Sequence, residues 1–181
     1  MLNLLLILFF ASVVTADSSS QFKIDNKYLN VLGFKLEQSK LKDIENKFGK
    51  TITYKSGDAS TSDTRLNYYL KKDKVFITFS SCEMGGGIYL TDVIMRDKII
   101  EKATEINDTL KTDDFIGLRI GNTKQYIESK LITKIETDSI QIRNDNKLII
   151  KDQEYNEQRT LELYFKDNKL VKAILWKIMS N

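Results

Sequence analysis

The chain of 181 residues contains no proline and no histidine, and it has one cysteine and one tryptophan. Without histidine it lacks the commonest general base near neutral pH and the commonest zinc ligand. A histidine-dependent triad and a histidine-based metal site are therefore excluded. Without proline there is no native cis-proline turn and no Pro-rich linker. A single cysteine, Cys82, cannot close an internal disulfide, so the fold has to be secured by packing. Cys82 reads as a small buried hydrophobe, with an intermolecular thiol as the alternative. The charge is also not of one sign: 28 basic and 25 acidic side chains leave +3. The signs are mixed along the chain, without the basic stripe that marks a nucleic-acid binder.

What is present begins with an apolar run from Leu4 to Ala11, with no charged residue before Asp17. Val14-Thr15-Ala16 supplies small residues where a signal peptidase cuts, and Asp17-Ser-Ser-Ser follows. The run is shorter than the ~20 residues of a spanning helix. Residues 1–16 are therefore expected to be a cleavable signal peptide. The mature chain is expected to be secreted or periplasmic, with no stable membrane anchor after cleavage. An uncleaved anchor or a buried N-terminal strand is the other reading. No cysteine sits at the cut to carry a lipid.

After a polar lead-in at 17–31, one pattern occurs twice. Leu32-Gly33-Phe34-Lys35-Leu36-Glu37-Gln38-Ser39-Lys40 leads into Leu41, Ile44, Phe48 and Gly49. Ile116-Gly117-Leu118-Arg119-Ile120-Gly121-Asn122-Thr123-Lys124 leads into Ile127 and Leu131. The two glycines are 84 residues apart, and inside the helix the register slips by one. Ser39 and Thr123 are expected to cap helices, the apolar residues at spacings of three and four to bury one stripe, and Gly49 to stop the first helix. Strands are expected at 51–56, 65–71, 74–81 and 87–96, and again at 139–144, 146–152, 159–166 and 169–178, separated by Gly, Asp, Asn and Lys turns. The 84-residue spacing pairs Ile77 with Leu161, Phe79 with Leu163, Leu90 with Ile174 and Ile94 with Ile178.

The expected fold class is α+β: two tandem repeats, 32–96 and 114–181, each a short helix packed on a four-stranded antiparallel sheet. Residues 97–113 connect them, as a short amphipathic helix or an extended excursion, with helix the preferred reading. Asn107-Asp108-Thr109 is a glycosylation sequon by pattern.

Candidate chemistry is sparse. Ser39-x-x-Lys42 has the spacing of a penicillin-binding-protein nucleophile, but S-D-N and K-T-G partners are missing, so a helix start is the reading adopted. Met84-Gly-Gly-Gly87 lies between two strand patterns, which makes a hairpin or bulge rather than a phosphate cradle. Asn144-Asp145-Asn146 lacks the glycine and glutamate of a calcium loop. Carboxylates are many and none is singled out by spacing. No catalytic residue, metal site or cofactor is assigned. The last strand carries apolar groups on both faces: Ile174, Trp176 and Ile178 against Val171, Ala173 and Leu175. The helices therefore cover one face, and either the second copy or a partner meets the other. Candidate binding residues are Tyr68, Glu83, Tyr89 and Trp176.

The doubled Gly-x-x-Leu/Ile-x-x-Ser/Thr-Lys unit over 32–178 resembles the beta-lactamase inhibitory protein family. In single copy it is similar to the outer-membrane assembly lipoproteins of the SmpA/OmlA family. Ile120-Gly121-Asn122-Thr123-Lys124 carries the better match; Glu37 stands where glycine is usual. The resemblance implies an exported binding protein, not an enzyme, with contacts on loops and an exposed sheet face. Its partner is expected to be a protein of the cell envelope or outside the cell, and no nucleic acid. A carboxylate-based envelope hydrolase and a purely structural envelope protein are the rival readings.

Overall fold

The computed structural model describes residues 24, 26–56, 63–82, 86–132, 140–144, 146–154 and 157–179. The expected signal peptide lies outside the described residues, and so does Glu83.

The fold is mixed α+β: one large sheet and, among the described residues, two α-helices. A small hairpin of β1 (Asn30–Val31) and β2 (Phe34–Lys35) precedes α1 (Leu41–Phe48). The large sheet then takes β3 (Tyr54–Ser56), β4 (Asp63–Leu70), β5 (Val75–Ser81) and β6 (Asp92–Arg96). The chain continues through β7 (Thr104–Ile106), α2 (Lys124–Ile132), β8 (Ile140–Asn144), β9 (Lys147–Glu154), β10 (Glu157–Lys166) and β11 (Lys169–Met179). The strand order is β3-β4-β5-β6-β11-β10-β9-β8, antiparallel throughout. β7 adds in parallel to β4, making nine strands.

Period-2 alternation builds one buried face. Leu66, Tyr68 and Leu70 of β4 point inward with Ile77 and Phe79 of β5, Val93 and Met95 of β6, Leu161 and Leu163 of β10, and Ala173 and Leu175 of β11. Leu41 and Ile44 of α1, and Ile127 and Leu131 of α2, close over the same face. Phe34, Phe48, Tyr68 and Phe79 meet with centroids 5.5–6.4 Å apart, mostly edge to face. Each such side chain contributes ~1.5–3 kcal/mol on burial. The core therefore secures the fold without a disulfide. Cys82 is half-buried and free.

Several expectations are corrected. The sheet is one continuous layer, because β6 and β11 pair directly, Lys172 with Arg96 through Trp176 with Asp92. The connector is not helical; its regular part is the short strand β7, with turns and irregular backbone on either side. β3 covers β4 only over Asp63–Arg65, and β7 satisfies the remaining edge at Tyr68–Leu70. Ser39 does not cap α1. Its Oγ accepts the Lys35 N–H at 2.9 Å, and the helix starts one residue later, where the Asp43 carboxylate accepts the Lys40 N–H at 3.0 Å. Thr123 does cap α2, its Oγ1 accepting the Tyr126 N–H at 3.2 Å. Gly49 ends α1 at φ 88°, its N–H on the Glu45 carbonyl.

The 84-residue spacing also fails in the last strand. Met95 lies opposite Ile77 as Leu175 lies opposite Leu161, and these two are 80 apart. The β10–β11 turn is the tight pair Asp167-Asn168, at φ 50° and 62°. The β5–β6 connection is longer, with Gly86 and Gly87 also at positive φ.

Candidate functional site: the open face of the sheet

The strand residues of opposite parity face away from the helices. Registers align them in rows across six strands. One row reads Tyr69, Phe76, Arg96, Lys172, Tyr164, Lys147; the next reads Asn67, Thr78, Ile94, Ile174, Glu162, Ile149. Beyond them, Asp92 stands opposite Trp176. Leu41 and Ile44 of α1, and Ile127 and Leu131 of α2, belong to the core cluster on the other face. The rowed side chains are half-buried or buried.

Glu162 organises the centre of this face. Its Oε2 receives the Tyr164 hydroxyl at 2.6 Å and Lys147 Nζ at 2.6 Å. Its Oε1 receives the Trp176 indole N–H at 3.3 Å. Burial pushes the carboxyl up, but the Lys147 and Tyr164 hydrogen bonds outweigh it and hold it below its usual range. An ionised carboxylate with three donors has no proton to give; its work is to fix the two rings. Lys147 and Lys172 lie over the Tyr164 ring at 4.7 and 4.8 Å. Tyr69 and Phe76 stack at 4.7 Å. Arg96 Nη2 donates to Thr78 Oγ1 at 3.2 Å, which in turn donates to Asn67 Oδ1 at 2.7 Å. At the Asp92 end, burial pushes the carboxyl up although Thr91 Oγ1 donates to it at 3.0 Å.

A second charged group lies on the helix side, at the far ends of β9–β11. Arg159 is 4 % exposed and pairs with Asp152 at 3.5 Å and Glu157 at 2.7 Å. Lys177 reaches Glu157 at 3.0 Å and Glu37 at 3.1 Å. Asp152 and Arg159 also grip the backbone of Ile24, at its N–H (2.7 Å) and its carbonyl (3.2 Å). Glu37, Glu157, Arg159 and Lys177 of this group line a cleft of about 300 Å³. The group is an anchor for the incoming chain.

Of the three candidate binding residues that are described, Tyr68, Tyr89 and Trp176, one, Trp176, is on the open face. Tyr68 is a correction. It is fully buried, its hydroxyl donates to the Gly49 carbonyl at 2.9 Å, and burial with Glu45 nearby pushes its phenol up to about 12. Leu66 and Leu70 share its parity, which makes it core; Tyr69 is the ring that turns outward. Tyr89 is 41 % exposed beside the start of α1, with Lys40 Nζ 5.8 Å from its ring. Tyr69, Phe76, Arg96, Glu162, Tyr164 and Lys172 were not singled out from the sequence. Strand parity, counted from the leucines, is the signal that finds them. Among the described residues, no cluster of three or more acidic or cysteine side chains is placed to hold a metal, and no helix is long and apolar enough to cross a membrane.

No protein-family model matches the chain, and no curated protein matches it. A solved structure similar in outline is a DUF4309 family protein (YjgB) from Bacillus subtilis subsp. subtilis str. 168. The identity is 11 %, covering 80 % of this chain and 82 % of that chain, with a TM-score of 0.44.

Proposed function

We propose that the mature chain is an exported, non-enzymatic protein-binding module that recognises its partner with the open face of the sheet. Inhibitors and envelope-assembly factors both belong to this class. The observation that carries the reading is the face itself: ordered rings and charges, with no described element packed on them. Aromatic and arginine side chains held this way are the usual anchors of protein interfaces.

We further propose that the chain is a tandem duplication, each copy a helix with four antiparallel strands. Backbone features that recur support this. Leu32-Gly33 and Ile116-Gly117 are both left-handed, at φ 54°, 89° and 59°, 72°, as are Glu37 and Gly121. The Lys35 N–H is held by Ser39 Oγ, and the Arg119 N–H by Asn122 Oδ1. Lys47 donates to the Leu32 carbonyl and Lys130 to that of Gly117. Lys40 bridges to Tyr89 as Thr123 bridges to Lys169.

The test is affinity capture by the purified mature protein from envelope and culture-fluid extracts. A stoichiometric protein complex is expected, weakened at least tenfold by Trp176→Ala with the fold intact. Turnover of a glycan or peptide substrate by the pure protein overturns the reading, and so does a complex that Trp176→Ala, Phe76→Ala and Tyr69→Ala all leave unchanged.

A further inference from the structure

Arg96 and Lys172 are direct cross-strand partners at the β6–β11 seam, on the open face. Like charges placed directly opposite one another oppose folding. Both are half-buried, and among the described residues no carboxylate lies within ion-pair distance of either. Arg96 has one hydrogen bond, to Thr78, and its Nε is buried without an acceptor. Lys172 has only the face of Tyr164. Glu162, the nearest acid in the rows, is held by Lys147, Tyr164 and Trp176.

The helix side of the same sheet meets a matching difficulty and resolves it. Arg159 and Lys177 are also direct cross-strand partners, but Asp152, Glu157 and Glu37 neutralise them. Among the described residues, the seam pair has no such ion pair.

From this contrast we infer that Arg96 and Lys172 form the anchor for an aspartate or glutamate side chain presented by a protein partner. The inference rests on the protein-binding reading above and names the chemistry of the contact. Phe76 and Tyr164 stand on either side of the pair in the same row, so the acidic residue arrives with apolar neighbours. Glu162 and Asp92 lie a strand position or two away and disfavour a polyanion such as nucleic acid or an anionic lipid surface. One carboxylate fits where a sheet of phosphates does not. Desolvation, together with the mutual repulsion of the two cations, lowers the Lys172 pKa, in keeping with a charge kept without a counter-ion.

The test uses the full mature protein and the peptide acetyl-Phe-Glu-Phe-amide, followed by NMR of the Arg96 guanidinium and Trp176 indole. The expected result is saturable, salt-sensitive shifts, at least tenfold weaker for acetyl-Phe-Gln-Phe-amide, and lost in Arg96→Met and in Lys172→Met. Inorganic phosphate is expected to compete only weakly. The free Lys172→Met protein is expected to melt no lower than the wild type, since a repulsive neighbour has gone. Equal binding of the Glu and Gln peptides overturns the inference, as does tighter binding of phosphate than of the Glu peptide. So does a Lys172→Met protein that melts several degrees lower, which makes the pair structural. A captured partner blocked by Trp176→Ala but indifferent to both cation variants overturns the anchor and leaves the protein-binding reading standing. Glu-peptide binding at the pair with no partner captured leaves the anchor standing without that reading.

Discussion

At the scale of single residues, Tyr68 and Tyr69 define the two sides of the molecule. Tyr68→Phe loses one hydrogen bond to the Gly49 carbonyl and is expected to cost about 1 kcal/mol in chemical denaturation. Tyr68→Ala opens the core and costs ~3–5 kcal/mol. Tyr69→Ala is expected to leave stability within about 1 kcal/mol of wild type and to act on binding. Glu162 gives a pH signature. Its carboxyl is held below the ordinary value of 4.5 in the folded protein. Its contribution is therefore fully present above that value and is lost as pH falls through the folded pKa. Melting temperatures of Glu162→Gln from pH 7 to pH 2.5 are expected to fall less steeply below about pH 4.5 than those of the wild type. An unchanged acid slope counts against the Lys147 and Tyr164 contacts.

At the scale of elements, the two helix starts separate a side-chain cap from a turn. Thr123→Ala removes the acceptor for the Tyr126 N–H and is expected to cost about 1 kcal/mol. Asp43→Ala should cost a similar amount at α1, and Ser39→Ala less, because Oγ serves the Lys35 turn and not the helix. Hydrogen exchange of the first-turn amides in α1 and α2 checks the assignment. This is also where the sequence proved readable and where it did not. Every expected strand has a counterpart, because alternation and polar turns are local signals. β7 was missed because three residues pair with a strand more than thirty positions earlier, and nothing local announces it. The helix cap was displaced because Lys40, drawn into an extended bridge with Tyr89, delays the first turn. The joining of β6 to β11 is a pairing of strands 80 apart, so the open face as a unit was invisible. Of its residues, Trp176 is the one that the alternation of the last strand offers as a binding candidate, on one side with Ile174 and Ile178.

At the scale of the whole molecule, one core cluster runs through both helices and the strands on either side of the seam. The long-range ties cross it as well. Asp114, buried at 2 % exposure, accepts the Leu32 N–H at 3.2 Å, and the Asp152–Arg159 pair holds Ile24. The protein is therefore expected to unfold in one transition, with calorimetric and van't Hoff enthalpies in agreement. Two resolved transitions would mean that the halves are independent. Asp152→Ala leaves Arg159 buried with a partner missing and is expected to cost about 3 kcal/mol, lowering that single transition without splitting it.

The seam has one more property. Ile94 faces Ile174, and on the duplication reading these are the same position of the two copies, each meeting its own equivalent. The pairs on either side are then mirror counterparts: Arg96 with Lys172 at one end, Trp176 with Asp92 at the other. Two identical copies would present a face with twofold symmetry, which a partner reads equally well in either direction. Here one end of the axis is doubly cationic and the other is an acid beside an indole. On that reading, divergence of four side chains has turned a symmetric surface into one with a head and a tail, whose two ends differ in charge.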